Sequence, residues 1–289
     1  MLKKLLLCVL LLVSLPLQAA GERLLFWHVS TVRAEVWLLG SMHLARPDIY
    51  PLREEIRQAF AASDALVVEV DIGGANELLI QQLMLERGTY RGDETIRDHL
   101  SPTTWQALQE RLQQSGLPPA AMERMKPGLV VTTLAAIEMM KMGLSPDHGV
   151  DRHFLDQARA EKTILELETI EQQLDLILNF PDADLLVRQT LIEMDSLEAT
   201  MKQLVDYWKR GDAEGLRRLV LDDELSRHPE FRPLMERMYD HRNRAMTDRI
   251  VGMQQRGGRY FVVVGAGHLL GDQGIIALLE KRGQKPRQL

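Results

Sequence analysis

Tyr260-Phe261-Val262-Val263-Val264-Gly265-Ala266-Gly267-His268 reads as a buried strand that ends in a glycine-rich turn and a histidine. The run from Tyr260 to Val264 is continuous, β-branched and aromatic, which is the composition of a strand covered on both faces. Gly265 lets the backbone turn sharply and lets other groups approach it. More than two hundred residues earlier the chain carries the same arrangement in Val36-Trp37-Leu38-Leu39-Gly40-Ser41-Met42-His43. Each Gly-x-x-His segment alone is a weak signal, because a histidine after a strand is more often a hydrogen-bonded structural residue. The repetition strengthens it. If the two strands are parallel neighbours, His43 and His268 converge on one rim, the carboxyl edge at which open α/β sheets bind ligands.

Working outward, Leu24 to Val29 and Glu35 to Leu39 are short apolar runs separated by polar residues, which suits a hairpin. A third strand is expected at Ala65 to Val70 and a fourth at Thr163 to Leu167. Leu52, Ile56, Ala59 and Phe60 recur at helical spacing. From Asn76 to Lys141 the pattern is helical but broken at Gly88, Gly92, Pro102, Gly116, Pro118 and Pro127, so several helices are expected. Further helices are expected at Val150 to Ala160, Ile170 to Leu178, Asp182 to Arg210, Phe231 to Gln255 and Gly274 to Lys281. The fold expected is α/β: a small mixed central sheet built from both ends of the chain, with a large helical insertion between them.

The chain has 289 residues, 45% of them hydrophobic, and no linker-like stretch divides it, so one core is expected over residues 21–289. Residues 1–20 read as a secretory signal, with Lys3 and Lys4 before an apolar run and Ala19 and Ala20 after it. That run is shorter than the ~20 residues that span a bilayer, so no stable membrane anchor after cleavage and a periplasmic location are expected. Cleavage removes Cys8, the sole cysteine, and with it any disulfide or thiol nucleophile. It also moves the formal charge from −6 to −8 by removing Lys3 and Lys4. An acidic protein argues against nucleic acid as a partner. The basic stretch Arg237 to Arg256 reads as a solvated helix face.

The third strand supplies a carboxylate in Val67-Val68-Glu69-Val70-Asp71. Glu69 and Asp71 fall on one side by the two-residue period. Glu69 lies between valines, and burying a carboxylate there requires a cation, either a metal or an arginine. Two imidazoles and a carboxylate suit a divalent zinc, manganese or cobalt ion. Competing motifs are weaker: the Gly265, Gly267 and Gly271 triplet sits too near the C-terminus for a dinucleotide fold, and no His-Glu-x-x-His or Gly-x-Ser-x-Gly motif occurs. Ser41 is adjacent to His43 in sequence, which is not a catalytic geometry. Met122, Met125, Met139, Met140 and Met142 read as helix packing rather than a groove.

Leu39 to His43, Pro47 to Leu52, Val68 to Asp71, Gly149 to Phe154, Leu165 to Thr169 and Val263 to Leu269 together closely resemble proteins of the TraB/GumN family, in that family's order. Arg242-Asn243-Arg244-Ala245-Met246 resembles its Arg-Asn-x-x-Met helix motif. The resemblance implies a relation to the Tiki proteins, which are membrane-tethered metal-dependent proteases. More distantly it implies a relation to erythromycin-esterase-like and haem-associated ChaN-like proteins. It assigns His43, Glu69 and His268 as the essential residues, and it places Arg242 or Asn243 near the same cleft. The metal it implies is manganese or cobalt. Some bacterial members are linked to conjugation, pheromone shutdown or polysaccharide loci.

The function expected is a metal-dependent, peptidase-like hydrolase acting on a peptide or small molecule. His43, Glu69 and His268 hold the ion or, with Glu69 outside the ligand set, Glu69 is the general base. Arg242 or Arg244 stabilises the oxyanion or holds a substrate carboxylate. A periplasmic protein that binds a peptide, pheromone or haem without turnover, and a metal-independent esterase, are the alternatives. Oligomeric state is not legible.

Overall fold

A computed structural model describes residues 23–73 and 75–289, so the signal expected at residues 1–20 lies outside the described residues. Its six-stranded sheet is formed by β1 (Phe26–Ser30), β2 (Ala34–Ser41), β3 (Ala65–Val68), β4 (Thr163–Glu166), β5 (Gly258–Gly265) and β6 (Arg287–Gln288). The spatial order is β4-β3-β5-β2-β1-β6. β2, β5, β3 and β4 run parallel to one another, while β1 is antiparallel to both β2 and β6. The sheet is therefore mixed and drawn from both ends of the chain, as the patterning predicts. β6 escapes the sequence reading because two polar residues carry no period.

The repeated strands are indeed parallel neighbours. Gly40 pairs with Val264 and Ser41 with Gly265, so the two Gly-x-x-His turns leave the sheet side by side. Phe261 to Val264 are fully buried, which explains the unbroken apolar run of β5. Gly40 is favoured by close approach, since a Cβ there would meet the Ala266 Cα at 3.2 Å, tighter than most such contacts.

Around the sheet lie helices α1 (Glu54–Ala62), α2 (Ala75–Arg87), α3 (Pro102–Gln114), α4 (Pro127–Lys141), α5 (Val150–Ala158), α6 (Ile170–Leu178), α7 (Ala183–Arg210), α8 (His241–Arg256) and α9 (Ile275–Lys281). Local chemistry sets their ends. The Ser101 side chain caps α3 by accepting from Thr104 N–H, with Pro102 in the first turn. Thr169 and Gln172 form a capping box on α6. α7 starts on the Asp182 side chain and stops at Gly211, whose φ of 63° an L side chain adopts with difficulty. The single helix expected over Phe231 to Gln255 is instead divided. A π turn at Glu236–Asp240 precedes α8, and the Met238 carbonyl accepts a hydrogen bond at 3.0 Å from Arg242 Nη1. The break thus serves an arginine that recurs below.

The sheet and its flanking helices share one hydrophobic cluster. The insertion has its own, in which Trp105, Leu108 and Leu112 of α3 meet Val130 and Leu134 of α4 and Val187 of α7. The far end of α7 returns to the sheet, where Trp208 Nε1 donates to the Gly40 carbonyl at 2.7 Å. This buried bond ties the end of the long helix to the backbone of β2 and gives the Gly40 carbonyl a partner. Among the described residues no helix is long and apolar enough to cross a membrane.

Candidate functional site

β2, β3 and β5 end together, and their exits form the floor of a cavity of about 440 Å³. His43, Glu69, Arg242, Gly265 and His268 all line it. Four of the five expected site residues thus reach one space, and the fifth, Asn243, stands behind it. Gly265 marks the point of convergence: a Cβ there would lie 3.2 Å from His43 Nε2, 3.3 Å from Glu69 Oε1 and 3.6 Å from His268 Cδ2. Its φ of −49° is ordinary, so the glycine matters for the space it leaves rather than for its backbone angle.

His268 is nearly inaccessible, at 4% exposure. Its Nδ1 sits 2.6 Å from Asn243 Oδ1. Asn243 Nδ2 donates to the Gln273 carbonyl at 2.9 Å, so Oδ1 is an acceptor and the ring carries its proton on Nδ1. Nε2 is left with a free lone pair, 3.7 Å from Glu69 Oε1. Burial, the dominant influence, pushes the imidazole down to about 4, so it is neutral near pH 7.

His43 is the opposite case. Its Nδ1 lies 2.9 Å from Asp151 Oδ2, and the buried Asp151 also accepts from Ser41 Oγ at 2.8 Å. α5 delivers Asp151 because Val150 N–H donates to the Met42 carbonyl at 3.0 Å, which docks the helix start against the end of β2. The Asp151 charge is the largest influence and raises the imidazole to about 9, with further help from Glu69. The side chain is 57% exposed, so solvent screens the pair and its effect on overall stability is small. Ser41 is bonded to Asp151 rather than to His43, which removes it as a nucleophile activated by that ring.

Glu69 is buried at 6% exposure and hydrogen-bonded at both oxygens. Oε1 accepts from Gly265 N–H at 2.7 Å, and Oε2 accepts from Arg242 Nη2 at 2.6 Å and from Gln173 Nε2 at 3.2 Å. Arg242 also grips Glu168, with Nε to Oε1 and Nη2 to Oε2, both at 2.7 Å. Burial works to raise the Glu69 carboxyl. It is outweighed by His268, His43, Arg242 and the Gly265 N–H, which bring the carboxyl down to about 2. His268 carries charge only at the acid pH where Glu69 titrates; near pH 7 it is neutral, and the positive charge beside Glu69 comes from His43 and Arg242.

Several expectations need correction. Arg242 is in the cleft, but its guanidinium is spent on two glutamates and the Met238 carbonyl, so it anchors Glu69 rather than gripping a substrate. Arg244 is exposed and does not line the cavity. Asp71 does not share the site with Glu69: β3 ends at Val68, and Asp71 pairs with Arg159 at 2.6 Å. Met139 lines the cavity instead of the helix core, whereas Met122 is core as expected. Among the described residues no group of three or more His, Cys, Asp or Glu side chains is already gathered as a ligand cluster for a metal ion. The donor chemistry nonetheless suits one. His268 Nε2 has its lone pair free, His43 bonds through Nδ1 and so leaves Nε2 turned to the Gly265 space, and Glu69 Oε1 borders the same space.

Asp151, Glu168 and Gln173 are the partners that spacing does not single out. Asp151 and Glu168 lie inside Gly149 to Phe154 and Leu165 to Thr169, two segments that carry the family resemblance, and that is the signal that points to them.

With this geometry in place, comparison with known proteins is informative. The chain is 26% identical over 244 residues to the "Uncharacterized protein YbaP" of Escherichia coli (strain K12), covering 84% of this chain and 86% of that protein. The protein of that name from Shigella flexneri matches to the same extent. No solved structure matches the chain. A sequence model of the TraB/PrgY/gumN family matches residues 25–288, which include every residue of the cleft floor, and the chain belongs to that family.

Proposed function

We propose that the cleft hydrolyses an acyl bond, an amide or an ester, with His43, Glu69 and His268 as the reacting groups. The observation that carries this reading is the opposite hydrogen bonding of two imidazoles at one strand edge, His268 Nδ1 to the Asn243 amide oxygen and His43 Nδ1 to the Asp151 carboxylate. His268 is held neutral with its Nε2 free, and His43 is held protonated by Asp151. Paired groups whose environments push their pKa values apart are the signature of a base and an acid working together.

A water entering beside Gly265 meets two acceptors, His268 Nε2 and Glu69 Oε1. His268 takes a proton from the attacking water, and Asn243 keeps its ring in the tautomer able to do so. His43 gives a proton to the leaving atom and draws on Asp151 to remain an imidazolium beforehand. Arg242 and the Gly265 N–H hold the Glu69 carboxylate in place and ionised.

A divalent cation would be held in the same space by His268 Nε2, Glu69 Oε1 and His43 Nε2, with His43 then neutral rather than an imidazolium, and it would supply Lewis acidity toward the carbonyl and a lower pKa for water. Both versions use one cleft. Protein purified without chelator is assayed for zinc, manganese and cobalt, then for cleavage of a blocked peptide library with and without added ion. Cleavage that survives exhaustive chelation supports the acid–base pair alone, and cleavage restored only by the ion supports the metal. No cleavage under any of these conditions refutes hydrolysis.

A further inference from the structure

The floor of the cleft is polar but its walls are not. Leu176 and Ile177 of α6, Met201 and Leu204 of α7, and Val220 and Met238 from the segment before α8 face the cavity. A cavity of about 440 Å³ with apolar walls and a few convergent polar groups is built to take one small organic ligand. Methionine in such a wall adapts its shape to the group it receives.

Charge narrows the ligand further. His43, Glu69 and Arg242 are the charged lining residues. Arg242 is committed to Glu69, Glu168 and the Met238 carbonyl, and His43 Nδ1 to Asp151, so the cationic hydrogen left to the ligand is on His43 Nε2, where the reaction itself uses it. Every oxygen of Glu69, Glu168 and Asp151 already accepts a hydrogen bond, and Glu69 Oε1, the carboxylate oxygen that borders the Gly265 space, serves the reacting centre rather than the walls. A charged side group of a ligand laid against the apolar walls loses its hydration and finds no partner there to replace it.

Resting on the hydrolytic reading above, we infer that the substrate is an uncharged amide or ester that places a bulky apolar group against α6 and α7 while its carbonyl meets the floor. Met201 and Leu204 are the specificity-determining residues, and α7 contributes no polar group to the reaction.

Two measurements test this separately from hydrolysis itself. The first is binding of the neutral apolar dye N-phenyl-1-naphthylamine by fluorescence to wild type, Met201→Gln, Leu204→Gln and the surface control Arg244→Ala, each first verified as folded by thermal melting. Saturable binding is expected, weakened about tenfold by either wall variant and unchanged by Arg244→Ala. Absent binding, or binding indifferent to both wall variants, overturns the inference. The second is kcat/KM for acetyl-leucyl, acetyl-aspartyl and acetyl-lysyl amides sharing one leaving group. A preference for leucyl of about a hundredfold is expected. Cleavage without that preference overturns the inference and leaves hydrolysis standing. Wall-dependent dye binding without cleavage of any amide supports the ligand class and refutes hydrolysis.

Discussion

Asn243 Oδ1 and His268 Nδ1 stand 2.6 Å apart, and because the Asn243 amide is donated to the Gln273 carbonyl, it is the ring that must provide the proton. The Arg-Asn pair on α8 therefore has two tasks at one site. Arg242 fixes the glutamate and Asn243 fixes the histidine tautomer. Asn243→Leu is expected to lower kcat/KM by about 10–100-fold, the usual cost of removing a partner that orients a reactive histidine. It should also cost about 1–3 kcal/mol of stability by leaving the Gln273 carbonyl and the His268 N–H without partners. Kinetics and urea unfolding of the same preparation check both. A fully active variant would remove Asn243 from the mechanism.

Arg242 is the counter-charge to two buried glutamates. Arg242→Met is expected to destabilise the fold by about 3–5 kcal/mol, because Glu69 and Glu168 remain buried without it. Urea denaturation provides the comparison. A loss under about 1 kcal/mol would mean that the two carboxylates find solvent on their own.

Gly265→Ala places a methyl where His43, Glu69 and His268 meet. The backbone angle tolerates alanine, so the expected cost in stability is no more than about 1–3 kcal/mol. Activity is expected to fall by about a hundredfold or more, because the displaced groups are the reacting ones. Unchanged cleavage by a folded Gly265→Ala protein would place the reaction elsewhere.

Stability should respond to acid in two windows. His268 is depressed from 6.5 to about 4, so between these values the unfolded chain binds a proton that the folded one does not, and stability falls as pH drops through that range. Glu69 is depressed from 4.5 to about 2, so its contribution is present above 4.5 and lost as pH falls toward 2. Unfolding free energy measured from pH 7 to 2 should therefore fall in both ranges. The upper decline should vanish in His268→Gln.

On the alkaline side the sign reverses. His43 is raised from 6.5 to about 9, so its pairing with Asp151 contributes below pH 6.5 and is lost as pH rises through 9. The proton NMR shift of the His43 ring should titrate near the raised value in wild type and return toward the ordinary histidine range in Asp151→Asn. An unmoved titration in that variant would show that Asp151 does not govern the ring.

Much of the framework was legible because it rests on local periodicity. The β-branched run of β5, the matching run of β2 and the glycine after each mark two strands and their turns. A glutamate between valines marks a carboxylate that needs a cation. The divided helix before α8 was not legible, since a π turn keeps helical spacing on both sides and changes only which carbonyl is free. The partners of the site were harder still. Asp151 lies 108 residues from His43 and Arg242 lies 173 residues from Glu69, and no local pattern spans such intervals.

By itself the sequence determined the pair of Gly-x-x-His exits, the glutamate at the end of β3 and the order of the first five strands and the main helices, because each is imposed within a few residues by sterics and by apolar period. Only the tertiary structure decided that β2 and β5 are adjacent and in register, that Arg242 serves Glu69 instead of a ligand, and that the two histidines differ in protonation. Those properties depend on which groups burial brings within hydrogen-bonding distance. Charge interactions in a desolvated space change sharply over a few ångströms, a distance that packing sets and residue spacing does not.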